Sequence, residues 1–222
     1  MEQRNLVREV MAPVKTYIVG GAASPTSIRS VKHGDGEVLI VKAKSQCSGI
    51  HAISIRQRLS WRRTAVAAET QVMSPTLLRV RLFTHHPSCL TGWTQVTLEN
   101  LGSYIAFTFS ILGTTFAWAC KRTATQSYVL DRVMENWQLL RIEDIQDDSN
   151  GVEAFTVVGS YDLDDKYHVH RDSAIKFFEA FAPDLELFCM AVVVALVAES
   201  CKRVRSLART DNLANMAALE TS

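Results

Sequence analysis

The stretch LFCMAVVVALVA, residues 187–198, runs for twelve residues without a charge, a glycine or a proline. No other feature of the chain limits its architecture so firmly. As a helix it rises about 18 Å at about 1.5 Å per residue, against the roughly 30 Å of a bilayer's hydrocarbon core. Asp184 and Glu186 close the run on one side, Glu199 and Lys202 on the other, so a single membrane span is not expected. The flanks have the chemistry of helix ends. Pro183 suits a first turn, Asp184 and Glu186 face the positive end of the dipole, and Lys202, Arg203 and Arg205 face the negative end. Three consecutive valines favour a strand, but the run exceeds the usual strand length, which argues for helix. Such a helix is apolar on every side and must be enclosed rather than laid on a surface. Leu187, Met190, Val193, Val194 and Val197 are therefore expected in the core.

The rest of the chain supplies strands to enclose it. TSIRSVKH (26–33) and EVLIVKAK (37–44) alternate and flank Gly34-Asp35-Gly36, a strong hairpin signal because the turn needs positive φ. In IHAISIRQRL (50–59), Ile53 and Ile55 fall on one face and Arg56 and Arg58 on the other. In TLLRVRLFT (76–84), Leu78, Val80 and Leu82 oppose Arg79 and Arg81. WTQVTLE (93–99), SYIAFTFSI (103–111) and TTFAWACKR (114–122) continue the series, the last two separated at Gly113. WQLLRIED (137–144) and EAFTVVGSY (153–161) flank the turn QDDSNG, and KYHVH (166–170) reads as one more short strand. WRRTAVAAETQVM (61–73) has helix-forming alanines, but strands on both sides and Pro75 after it argue for strand. SAIKFFEAF (173–181) reads as a short helical turn before Pro183. The final SLARTDNLANMAALETS reads as a weak helix or a disordered tail.

Ten to twelve strands with no βαβ alternation and no fixed repeat give one antiparallel β domain. An eight-stranded barrel is filled by its own side chains, so one wrapped around a helix needs more strands. The expected fold is mainly β: a closed antiparallel barrel of about 10–12 strands enclosing a C-terminal hydrophobic helix. The domain is placed at 15–204, after an N-terminal extension (1–14) and before a C-terminal tail (205–222).

That order of elements resembles the Tubby C-terminal-like fold, shared by Tubby proteins, phospholipid scramblases and the LURP-one-related proteins of plants, with related sequences in fungi. FTFSILGTTFAWACKR (107–122) is similar to the family's strand–Gly–aromatic–x–Trp hairpin, through Gly113, Phe116 and Trp118. PDLELFCMAVVVALVAESCKR (183–203) is similar to its closing helix with a short acidic lead-in. The likeness spans most of the chain in element order and about one sixth of it in residue pattern. Two features depart from it. The family's N-terminal strand pairs are hard to place before residue 26, and there is no cysteine cluster of the scramblase kind.

The resemblance implies binding of anionic phospholipid or phosphoinositide surfaces through basic residues on the barrel's outside. Arg56, Arg58, Arg62, Arg63, Arg79 and Arg81 are the candidates, since alternation puts the strand arginines outward and guanidinium forks suit phosphate. The competing reading is that outer faces are polar in any case and that charged edges deter aggregation. No Tubby lipid-binding motif aligns residue by residue, so none is transferred. Charge is segregated: residues 1–130 hold 15 Lys and Arg against 6 Asp and Glu, and residues 131–186 hold 5 against 14. That gives either a dipolar surface with a basic side for anionic partners, or two regions paired across one fold.

Metal chemistry finds little purchase. Scramblases carry an acidic segment before the closing helix, but YDLDDKYHVHRD (161–172) fails as a calcium loop. Counted from Asp162 it places Lys166 at position five, Tyr167 at six and Ser173 at twelve. DDSNG (147–151) fails likewise, with Gln146 and Val157 at the terminal ligand positions. His168 and His170 share a strand face at a generic spacing, and His85 and His86 point apart. No GxSxG, Cys–His signature, phosphate loop or acid–base carboxylate pair is present. Trp61, Trp93, Trp118 and Trp137 read as core or barrel-rim residues.

Cys47, Cys89, Cys120, Cys189 and Cys201 are odd in number and form no CxxC pair, so free, mostly buried thiols in a reducing compartment are expected. The charged opening MEQRNLVREVMAPVK has no apolar segment of signal type, and neither end signals lipidation. The expectation is a non-catalytic cytoplasmic protein with no cofactor or metal and no nucleic-acid partner, making peripheral rather than integral contact with anionic phospholipid. The alternative is a protein–protein interaction module using the acidic region 131–186. An enzyme or a carrier of small apolar ligands would need a cavity that a core helix would fill.

Overall fold

The computed structural model describes residues 12–21, 28–34, 37–45, 51–59, 63–83, 92–101, 104–121, 137–143, 154–162 and 173–199. Among these are twelve strands: β1 (Lys15–Gly21), β2 (Ile28–His33), β3 (Glu37–Ser45), β4 (His51–Arg58), β5 (Thr64–Ser74), β6 (Leu77–Leu82), β7 (Thr94–Leu101), β8 (Tyr104–Ile111), β9 (Thr114–Lys121), β10 (Trp137–Glu143), β11 (Ala154–Asp162) and β12 (Ser173–Phe177). One helix, α1, occupies 183–199.

Each strand pairs antiparallel with its neighbours in sequence, and β1 pairs with β12 to close the barrel. At about 4.8 Å between strands and a tilt near 36°, twelve strands give a cylinder about 23 Å across between backbones. A helix about 10–12 Å wide fits that bore with one layer of inward side chains around it. Strand number and helix diameter match.

Alternation does the sorting. Leu78, Val80 and Leu82 of β6 are buried, as are Ile53 and Ile55 of β4, while Arg79 and Arg81 lie between the inward residues. The ambiguous alanine-rich segment is strand β5, with Ala68, Thr70 and Val72 inward. Leu187, Met190, Val193, Val194 and Val197 of α1 are all buried, and so is every residue from 186 to 197. The helix packs in one cluster with inward residues from all twelve strands, including Tyr17, Val31, Phe107, Trp118, Trp137 and Phe177. Two hydrogen bonds fix its axial position: Trp118 Nε1–H to the Cys189 carbonyl at 2.9 Å, and Thr70 Oγ1–H to the Ala191 carbonyl at 3.3 Å.

The structure corrects the sequence reading at the seam. Residues 173–177 are strand β12, not a helical turn, with Ser173, Ile175 and Phe177 inward. A strand, β1, does precede residue 26, and these two close the barrel through Lys15↔Phe177 to Val19↔Ser173. Five residues of helix-compatible composition are too few to declare a strand locally; pairing on both sides decides it. Gly159 of β11 marks how tightly this seam is drawn. A Cβ there would sit 2.8 Å from the Lys176 backbone carbonyl of β12.

A second difference concerns the outside. The outer faces are not uniformly polar: Leu101, Ala106, Ala117, Ala119 and Leu140 form a separate buried cluster, with Tyr104, Ile142, Phe155 and Val157 against it. Strands β8 and β9 are therefore buried on both faces, as their near-continuous apolar runs permit. Residues 1–11, Trp61, Arg62, His85, His86, the QDDSNG turn, KYHVH, the first tested calcium loop between Asp162 and Ser173, the second before Ala154, Cys47, Cys89, Cys201 and 200–222 lie outside the described residues. Cys120 and Cys189 are buried thiols outside any disulfide.

Candidate functional site

The candidate arginines sit on β4, β5's entry and β6, three neighbouring segments of the barrel wall. Arg56 and Arg58 are near the end of β4, Arg63 immediately precedes β5, and Arg79 and Arg81 are on β6. Because β5 lies between β4 and β6, the two arginine rows stand about 10 Å apart, two strand spacings. Register places Ser54, Glu69 and Arg81 on one outward row, and Gln71, Arg79 and Gln95 on the next.

The two β6 arginines are held. Arg79 donates through Nε (2.8 Å) and Nη2 to Gln71 Oε1, and Arg81 Nη2 pairs with Glu69 at 3.2 Å. Trp93 lies against both guanidinium groups, 4.6 Å from Arg79 and 4.7 Å from Arg81, and Arg81 also covers the Phe83 ring at 4.5 Å. Stacking of this kind fixes a guanidinium while leaving edge donors for an anion. Sequence reading assigned Trp93 only to core or rim; its role as a shelf for two arginines needed the β6–β7 pairing, which brings Thr94 opposite Val80. Arg56 Nε donates to Thr64 Oγ1 at 3.1 Å, whereas Arg58 and Arg63 are exposed. Leu59 N–H donates to the Arg63 carbonyl at 2.9 Å, so Arg58, Leu59 and Arg63 are held together at the mouth of the β4–β5 connection.

Around β1 and β10–β12, across the barrel from this sector, acidic groups are used internally. Glu186 is buried and accepts from Lys15 Nζ at 2.7 Å and Tyr17 Oη at 2.8 Å, tying the helix's first turn to β1. Burial alone would lower the Lys15 pKa, but its hydrogen bond to Glu186 wins and holds it above the ordinary lysine range. Burial, with the Glu186 carboxylate beside it, pushes the Tyr17 hydroxyl up to about 12. Arg141 Nη1 holds both Glu179 oxygens at 2.7 Å, and Lys176 Nζ pairs with Asp162 at 2.7 Å. Four described carboxylates of the acidic region, Glu143, Asp162, Glu179 and Glu186, are thus in ion pairs within the fold.

No group of three His, Cys, Asp or Glu side chains suited to a metal occurs among the described residues. No described helix is long and apolar enough to cross a membrane. No known family model, curated protein or solved structure matches the chain. The site therefore rests on its own geometry.

Proposed function

We propose that this chain is a non-catalytic, Tubby C-terminal-like barrel that attaches peripherally to anionic phospholipid or phosphoinositide surfaces at the cytoplasmic side of a membrane. The observation that carries the reading is the gathering of Arg56, Arg58, Arg63, Arg79 and Arg81 on the outside of β4–β6, two of them exposed. Guanidinium groups in fixed positions suit bidentate contact with phosphate oxygens. The Trp93 shelf supports it too, because pre-positioned arginines lose little side-chain freedom on meeting a phosphate. The internal pairing of Glu143, Asp162, Glu179 and Glu186 leaves the rival reading, an acidic protein-binding surface at 131–186, with less to stand on.

The test is co-sedimentation of the full chain with vesicles of phosphatidylcholine, with and without anionic lipid, across a salt series. Binding that needs the anionic lipid, weakens as salt rises and is lost in the Arg58→Gln/Arg63→Gln double variant agrees with the proposal. Absence of binding at low salt, or binding indifferent to those substitutions, overturns it.

A further inference from the structure

An up-and-down barrel has two ends, and the exposed apolar side chains favour one of them. Strands of even number finish, and strands of odd number begin, at the end where α1 enters. Six large hydrophobic residues are exposed among the described residues, and four belong to this end: Val14 (62%) before β1, Leu59 (64%) after β4, Phe83 (39%) after β6 and Leu112 (78%) between β8 and β9. The β5–β6 turn at the opposite end is Pro75-Thr76, where Ser74 and Thr76 share a hydroxyl contact at 3.1 Å.

Leu112 is costly where it stands. It is the only described non-glycine residue with positive φ, 53°, and with Gly113 at 81° it forms the two-residue turn of the β8–β9 hairpin. Turns of this shape prefer Asn-Gly, because a Cβ strains the left-handed backbone. Neither packing nor turn chemistry calls for a leucine here; it projects into water from a strained position. Such an outlier points to a role in contact with something else.

Charge divides the same rim. Arg58 and Arg63 flank Leu59, and Arg81 stacks on Phe83. Glu143 and Glu179, which share the single cation Arg141, and Asp184 occupy the sector around β10, β12 and the start of α1, so this side keeps an acidic balance. Apolar tips set among cations match a bilayer interface, where headgroup phosphates lie directly above hydrocarbon.

We infer that the β4–β9 sector of the helix-entry rim is the membrane-inserting edge of this protein, with Leu59, Phe83 and Leu112 entering the hydrocarbon boundary and Arg58 and Arg63 meeting lipid phosphates. The inference rests on the phospholipid reading and adds its orientation: the barrel stands tilted on this edge, with the acidic sector away from the bilayer.

The experiment compares the full chain with Leu112→Asn and with Leu59→Ser/Phe83→Ser, using the same anionic vesicles at moderate salt and soluble inositol phosphate as a headgroup control. Leu112→Asn relieves the turn, so it folds at least as well as the parent. The expected result is about a tenfold weaker vesicle affinity for each variant, with unfolding of Leu112→Asn no earlier than the parent's. Unchanged vesicle affinity in both variants, with binding still lost in Arg58→Gln/Arg63→Gln, removes insertion while leaving the phospholipid reading intact. Inositol phosphate binding as tight as vesicle binding also removes it, since the headgroup alone would then suffice. A parent chain that binds no vesicle overturns both.

Discussion

Trp118 of β9 donates its indole N–H to the backbone carbonyl of Cys189 in α1, 2.9 Å away and wholly buried. That carbonyl lies within the helix ladder, so the bond is an extra one that registers the rod against the wall. Trp118→Phe keeps most of the ring volume and removes only the donor; the expected loss is about 1 kcal/mol. Trp118→Ala also leaves a cavity and is expected to cost about 3–5 kcal/mol. Urea unfolding of the two variants separates bond from packing.

Leu196 is among the largest fully buried side chains and sits one turn from the end of the described helix. Leu196→Ala is expected to cost about 2–5 kcal/mol, because a closed barrel cannot collapse onto the space left. A loss well under 1 kcal/mol would mean that this turn is not clasped by the wall.

The Lys15–Glu186–Tyr17 latch predicts an alkaline limit. Both Lys15 and Tyr17 have folded-state pKa values above their unfolded ones, 10.5 and 10.0. Above pH 10 the folded state therefore holds more protons than the unfolded, and stability falls as pH rises. The contribution is complete below pH 10 and drains away through the Tyr17 value of about 12. Unfolding free energy measured from pH 8 to 12 should be level and then decline from about pH 10. Tyr17→Phe should make the first part of that decline shallower while lowering stability throughout, since Glu186 loses a donor.

Two backbone positions predict opposite signs. Gly159→Ala pushes a methyl against the Lys176 carbonyl, with Leu139 Cβ at 3.3 Å beside it, so strain of about 1–3 kcal/mol is expected. Leu112→Gly relieves a left-handed leucine and should stabilise by about 1 kcal/mol. Thermal unfolding of the pair checks both.

Much of the barrel was legible because its strands announce themselves by alternation. Arg79 and Arg81 between Leu78, Val80 and Leu82 needed no tertiary information, nor did the twelve uncharged residues whose burial called for an enclosure. The closing strands were harder for a physical reason. Neither KTYIVGG nor SAIKF alternates long enough to stand out, and each becomes a strand because the other completes its pairing. Gly159 was a readable clue, since a glycine inside a strand marks a close backbone approach. The strand arginines Arg56, Arg58, Arg79 and Arg81 do face outward, but composition cannot tell an exposed Arg58 from an Arg79 clasped by Gln71 and Trp93. A partner 8 residues away, Gln71, and one just ahead of the neighbouring strand, Trp93, come from register. The exposed Leu59, Phe83 and Leu112 were invisible for the converse reason: hydrophobic residues are assigned inward by default, and only topology gathers their exposed tips at one end.

Cys189 offers the most direct measurement of the enclosed helix. Its thiol is fully buried at the centre of the structure, and burial, reinforced by Glu186, raises its pKa far above that of a free cysteine. Labelling by a thiol reagent, followed at the Cys189 peptide by mass spectrometry, should proceed only as fast as global unfolding allows and should quicken with denaturant in step with it. Labelling of Cys189 in native buffer at the rate of an unfolded cysteine would mean the helix is not held inside the barrel, and the account would be contradicted at its foundation.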